Sequence, residues 1–302
     1  MKELALVSVL MDLGAGRRGV DMGPSAIRIA GLRDTLVGLD YRIREMGTVV
    51  ATDPERTEQQ DVHALYLTEV ESVCRRARDL VEDALERGCM PLVLGGDHSI
   101  AIGSVAGVSR FYARRKERIG LIWVDAHSDM NTPGTSPSGN VHGMPLAVLT
   151  GHGPQLLRSL ADRRPAVRPE NVSMIGVRKI DPAEREVVIS SGVRVFTMSE
   201  VDERGIAPCV EEAIARAGAG TAGFHLSYDL DSLDPMIAPG VGTPVAGGLT
   251  FREGHLICEK VARSGRLVSL DMVELNPVLD AHNRTAQMAV GLIASALGQT
   301  IL

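Results

Sequence analysis

Eight short apolar runs, at 4–10, 42–49, 90–94, 119–124, 172–177, 193–197, 222–228 and 267–270, recur along the chain with helix-forming stretches between them. Apolar runs of this length, bounded by turn residues, are what a strand looks like when both of its faces are covered. Strands of that kind separated by helices specify a mostly parallel sheet with helices on both faces, an α/β fold. Helices are expected at 57–87, 199–217, 250–264 and 284–297, with Thr57, Ser199 and Thr250 as N-caps of the first three. No internal repeat and no linker divides the sequence, so a single domain over 1–302 is expected.

Composition narrows the class. At 302 residues, core size is not limiting. A 44% hydrophobic fraction with only 3% aromatics, 32 Gly and 15 Pro suits glycine-rich loops on a Val/Leu/Ala core rather than an all-β sandwich. A formal charge of −6, with one basic cluster at 110–118 that reads as a solvated helix end, argues against nucleic-acid or anionic-membrane binding. Cys74, Cys89, Cys209 and Cys258 lack C-x-x-C spacing and read as reduced, buried residues. No apolar run is long enough to span a membrane and the first has no cleavage pattern, so a cytoplasmic protein is expected.

Three of the apolar runs end in acidic segments, two of them histidine-bearing: Gly95-Gly96-Asp97-His98, Asp125-Ala126-His127-Ser128-Asp129 and Asp229-Leu230-Asp231. The i, i+2, i+4 spacing would put Asp125, His127 and Asp129 on one side of an extended segment, and Asp229 and Asp231 repeat the i, i+2 part. The glycine pair before Asp97 would let the backbone turn sharply. Taken singly, these are Asx-turns and helix-start histidines. Together, besides Asp97, they supply two imidazoles and four carboxylates at strand ends, where ligands of open parallel sheets sit. Four aspartates balance two divalent cations, and the mainly oxygen ligand set suits manganese or magnesium without excluding zinc, iron or cobalt. A Pro-, Gly-, Ser- and Asn-rich segment at 130–141 reads as a structured loop beside them.

In this order, GGDHS, DAHSD and SYDLDSLDP resemble the ureohydrolase superfamily, and NTPGTSPSGNVHGMPLA between them is similar to the loop of its arginase family. GRRGVDMGPSAIR and VELNPVLD extend the resemblance over essentially the whole chain. It implies an arginase/deacetylase-like three-layer α/β/α sandwich on an eight-stranded, mostly parallel sheet, with two manganese ions per subunit. One ion would be held by His98, Asp125, Asp129 and Asp229, the other by His127, Asp125, Asp229 and Asp231. The implied reaction is hydrolysis of L-arginine to L-ornithine and urea, by a metal-bridging hydroxide attacking the guanidinium carbon. Asp129 and His142 would carry the proton to the departing nitrogen, and Glu274 would anchor the cationic guanidinium. Asn131, Ser136 and Ser138 match positions that contact the substrate carboxylate, Asn140 lines that end, and Asp181 and Glu184 match those near its ammonium.

Two departures stand out. Ser136 replaces a threonine common in relatives and keeps the hydroxyl, whereas Lys179 occupies a place that is acidic in some animal relatives. The resemblance also implies a homotrimer or homohexamer. Alternatives are an agmatinase or other guanidino-compound hydrolase, which shares the metal motifs; a non-catalytic protein of the same fold; and a two-metal phosphoesterase, which would want cationic groups where Glu274 stands.

Overall fold

In a computed structural model of the chain, which describes residues 2–57 and 61–300, all eight expected strands form. They are β1 (Lys2–Leu10), β2 (Tyr41–Val50), β3 (Met90–Leu94), β4 (Gly120–Val124), β5 (Val172–Val177), β6 (Arg194–Thr197), β7 (Phe224–Asp229) and β8 (Leu267–Val273). They make one sheet in the order β2-β1-β3-β8-β7-β4-β5-β6. Every neighbouring pair is parallel, so the expected "mostly parallel" sheet is wholly so.

Among the described residues the helices are α1 (Gly23–Ile29), α2 (Leu32–Gly38), α3 (Leu67–Glu86), α4 (Ala101–Arg114), α5 (Pro145–Leu149), α6 (Gln155–Arg158), α7 (Arg185–Ser190), α8 (Met198–Arg204), α9 (Ile206–Gly218), α10 (Phe251–Ser264) and α11 (Arg284–Ala296). The two-residue period of a strand sends alternate side chains to opposite layers. Leu4, Leu6, Leu92, Leu94, Ile122 and Val124 face the layer containing α1, α2, α9, α10 and α11. Val7, Val9, Val93, Leu121 and Trp123 face the layer containing α3, α4, α5 and α6. The result is the three-layer α/β/α sandwich.

Two helix expectations fail at their starts. The helix placed at 57–87 begins at Leu67, and Thr57 caps no α-helix; its Oγ1 donates to the Asp53 carbonyl at 3.0 Å. Residues 58–60 lie outside the described residues. The stretch just before α3 is instead committed to a tertiary contact, with Leu65 N–H donating to Gly139 O at 2.8 Å. The helix placed at 199–217 is two helices, because Gly205 takes φ 79°, and the cap is Thr197, whose Oγ1 accepts Glu200 N–H. Thr250 caps α10 as expected, in a reciprocal pair with Glu253.

Candidate metal centre and substrate pocket

The sheet order sets which loops can meet. β3, β8, β7 and β4 are consecutive, and their carboxyl ends carry His98, Glu274, Asp229 with Asp231, and Asp125 with His127 and Asp129. The chain bends at Gly96–Asp97, as the glycine pair suggests, and the pair also serves close approach: a Cβ on Gly96 would lie 1.8 Å from Met11 O. Asp125, His127 and Asp129 do not lie along one extended segment. The chain bends at Ala126–His127 and Asp129 takes φ 50°, so Asp129 leaves the line of the strand; Asp125 and Asp129 both reach His98, and Asp125 also faces His127.

All six expected ligands converge. His98 Nδ1 lies 3.1 Å from one oxygen each of Asp125, Asp129 and Asp229. His127 Nδ1 lies 3.0 Å from Asp231 and 3.6 Å from Asp125. His98, Asp125 and Asp229 form one set whose ligand atoms lie within 4.8 Å of one another, and Asp125, His127 and Asp231 form a second. Asp125 belongs to both. A ring nitrogen can donate to one acceptor, yet His98 Nδ1 faces three carboxylate oxygens, and this nitrogen and Asp129 Oδ2 are buried without a hydrogen-bond partner. Such atoms are arranged around a shared point, as ligands of a cation are.

The electrostatics point the same way. Burial, with Asp231 and Asp125 alongside, pushes the Asp229 carboxyl well above its usual range. Burial and the Asp125 charge raise Asp129 to about 7. Burial would depress His127, but Asp231 and Asp125 lift it to about 12. Four carboxylates held this close repel one another, and bound positive charge relieves that repulsion.

A second layer, which sequence reasoning did not find, holds the ligands. Trp123 Nε1 donates to Asp125 Oδ2 at 2.9 Å. Behind His98, Nε2 meets Ser227 Oγ at 2.9 Å, and Ser227 donates to Asp271 Oδ1 at 2.5 Å. Asp271 Oδ2 is engaged by Ser104 Oγ at 2.6 Å and His225 Nε2 at 2.9 Å. Thr243 Oγ1 donates to Asp231 Oδ2 at 2.9 Å. Arg178, following β5, donates to the carbonyls of Asp231, Ser232, Leu233 and Val245 and so pins the loop after β7. No spacing in the sequence signals this layer, since His225, Ser227 and Asp271 lie inside strands.

A cavity of about 250 Å³ opens over the cluster, lined by His98, His127, Asp129, Asp229 and Asp231 together with Asn131, Ser136, Ser138, Asn140, His142, Asp181 and Glu184. Thr243, Pro137, Gly143 and Lys179 complete the lining. The 130–141 loop is irregular and tied down: Asn131 N–H donates to Gly143 O, and Asn131 Nδ2 to Asp181 Oδ2 at 2.9 Å. Ser136 Oγ accepts Gly139 N–H and Ser138 Oγ accepts Asn140 N–H, which leaves both hydroxyl protons available. Glu184 is buried with its oxygens accepting Met130 N–H at 2.7 Å and Asp181 N–H at 3.1 Å, so it braces two site loops.

Glu274 is the one expected substrate contact that does not line the cavity. It sits behind His142, with Oε1 accepting His98 N–H at 2.8 Å and meeting His142 Nδ1 at 3.0 Å, while Oε2 is buried and unpartnered. Burial alone would depress His142, but this pairing lifts it to about 9.

Fold and site together define a three-layer α/β/α protein whose sheet carries, at its carboxyl edge, a histidine–aspartate cluster suited to cations beneath a small polar pocket. The Arginase family model matches residues 2–298. An arginase of Bacillus caldovelox is 47% identical over all of both chains, and one of Brevibacillus brevis is 48% identical over 100% of this chain and 99% of its own. The native structure of the Bacillus caldovelox arginase at pH 5.6 superposes with a TM-score of 0.95 over the full length of both chains. The chain belongs to the arginase family and is a hydrolase of that family.

Proposed function

We propose that this enzyme hydrolyses L-arginine to L-ornithine and urea at two manganese ions. The observation that carries the reading is the pair of ligand sets sharing Asp125 at the floor of a pocket whose outer wall offers amide and hydroxyl groups. His98, Asp125, Asp129 and Asp229 would hold one ion and His127, Asp125, Asp229 and Asp231 the other; the oxygen-rich ligand set favours manganese. When bound, the two cations supply Lewis acidity and lower the pKa of water at the site.

The remaining chemistry falls to side chains. Asp129, on the pocket wall beside the ligands His98 and Asp229, takes up a proton beside the reacting carbon. His142, oriented by Glu274, delivers a proton to the departing ornithine nitrogen. The unpartnered Oε2 of Glu274 is the acceptor proposed for a guanidinium N–H. Ser136, Ser138 and Asn131, with Asn140 beside them, receive the α-carboxylate, while Asp181 and Glu184 supply negative charge at the ammonium. Four buried free cysteines support a reducing, cytoplasmic setting. Among the described residues no helix is long and apolar enough to cross a membrane. A homotrimer or homohexamer is proposed from the family resemblance.

The deciding experiment is urea release from L-arginine and from agmatine by chelator-stripped protein reloaded with manganese. Manganese-dependent turnover of arginine with little from agmatine is expected. Preference for agmatine would overturn the substrate, and no urea from either would overturn the reaction.

A further inference from the structure

Asp97 and His98 follow β3 as neighbours in the chain, and each sends a separate line of hydrogen bonds to His142. Along the first, His98 N–H donates to Glu274 Oε1 at 2.8 Å, and that oxygen meets the His142 ring at 3.0 Å. The second reaches the backbone of the same histidine. Asp97 Oδ2 accepts Gly14 N–H at 2.9 Å, and Gly14 O accepts His142 N–H at 3.0 Å. Ring and main chain of His142 are thus held from two adjacent residues.

Asp97 is fully buried and touches neither the cavity nor the cation cluster. Its other oxygen, Oδ1, accepts Ser99 N–H at 3.0 Å and the Ser99 hydroxyl. Among the described residues no lysine, arginine or histidine nitrogen comes within 4.0 Å of the carboxyl. Burying such a group without a cation beside it costs stability. Capping the turn at 98–100 needs only one oxygen, which Ser, Thr or Asn would supply. The second oxygen is spent on Gly14, and the fit is close: a Cβ on Gly14 would lie 2.6 Å from Asp97 Oδ1 and from Ser99 Oγ. Residues 16–18, just beyond, are exposed, so Asp97 fastens the buried part of this loop at the residue that meets His142. A proton donor works only within hydrogen-bond reach of the atom it serves, and a displacement of about 1 Å can cost on the order of 100-fold in rate.

We propose that Asp97 is a positioning residue for proton delivery, acting on His142 through Gly14. This inference rests on the reading of His142 as the donor to the departing nitrogen. The test uses two variants of the manganese-loaded, full-length enzyme. Asp97→Asn leaves a single amide oxygen, which can serve Ser99 N–H or Gly14 N–H but not both. Gly14→Ala keeps the carboxyl and crowds it from the loop side. Each should lower kcat for L-arginine roughly tenfold, a part of the ~100-fold or more that a general acid contributes, with KM nearly unchanged. L-canavanine, whose departing nitrogen is bonded to oxygen and is much less basic, needs that proton less, so its kcat should fall less. In a His142→Ala background, Asp97→Asn should change kcat by no more than about twofold, because both substitutions remove the same contribution. Amide exchange over 141–143 should quicken in both variants while that of β4 holds. Manganese affinity should hold too; a weaker affinity, with the rate restored by excess manganese, would assign Asp97 to His98 and overturn the proposal. Unchanged kcat in Gly14→Ala, equal losses on the two substrates, or full additivity with His142→Ala would overturn it as well. If His142→Ala alone releases urea from arginine at the wild-type rate, the reading of His142 fails and takes this inference with it.

Discussion

The indole of Trp123 lies flat against the imidazole of His98, with ring centroids 4.0 Å apart and planes within 9° of parallel. The same indole donates its N–H to Asp125. One buried aromatic therefore touches two of the proposed ligands, fixing the ring plane of one and an oxygen of the other.

Because Trp123 is the chain's only tryptophan, it reports on the cluster directly. Adding manganese to chelator-treated protein should change its emission, with the response saturating at two equivalents per chain. A break at one equivalent would contradict the two-ion reading, and a flat titration would contradict metal binding at this cluster.

Asp125 is shared by both ligand sets, so its loss cannot be confined to one ion. Asp125→Asn should abolish the emission response and lower urea release by more than roughly 100-fold, beyond what disturbing a supporting residue does. Metal content by elemental analysis checks the cause. Full turnover with two ions retained would sink the assignment.

Asn131→Ala and Ser138→Ala remove donors from the outer end of the pocket and leave the cluster in place. The kcat/KM for arginine should fall by roughly 10-fold for each lost hydrogen bond to the charged carboxylate, while that for agmatine changes less. Equal losses for the two substrates would place the carboxylate elsewhere.

Away from the site, α3 and α4 approach so closely that a Cβ on Gly103 would lie 2.4 Å from Cys74 O. Since the obstacle is backbone, it cannot rotate aside. Gly103→Ala should destabilise the fold by about 1–3 kcal/mol, read from denaturant unfolding of metal-free protein. An unchanged midpoint would mean the two helices can separate without loss.

The strands were legible because uninterrupted apolar runs admit few other structures, and the ligands because acidic and histidine residues clustered where three of those runs ended. Helix starts were less so. The 57–66 stretch has helical composition, but its last residues are spent on the contact from Leu65 to Gly139, which no local pattern encodes. Gly205 was visible inside the 199–217 pattern, yet whether a glycine interrupts a helix depends on the φ that tertiary packing imposes. The residues behind the ligands were illegible for a different reason. Ser227 and Asp271 sit within β7 and β8, where a sequence pattern shows only a polar residue inside a strand.

Behind His98 stand Ser227 and Asp271. His98 turns Nδ1 toward the cluster, so the proton belongs on Nε2, which donates to Ser227; Ser227 in turn donates to Asp271. The chain leaves the Nδ1 lone pair free for a cation and fixes the ring's direction. Ser227→Ala breaks the chain at its middle, leaving His98 Nε2 and Asp271 Oδ1 without these partners. Manganese affinity, measured by competition with a chelating dye, should fall by about 10- to 100-fold. Metal-free stability should fall by about 1–3 kcal/mol from the unmet buried groups. Asp271→Asn keeps the volume, but its amide carries a single oxygen to serve Ser227, Ser104 and His225, so it should weaken metal binding as well. The two measurements separate the possible roles. If metal-free stability drops in both variants while manganese affinity holds, the layer supports the sheet alone. If affinity drops as predicted, the buried Ser227–Asp271 pair sets the direction of the ligand in front of it.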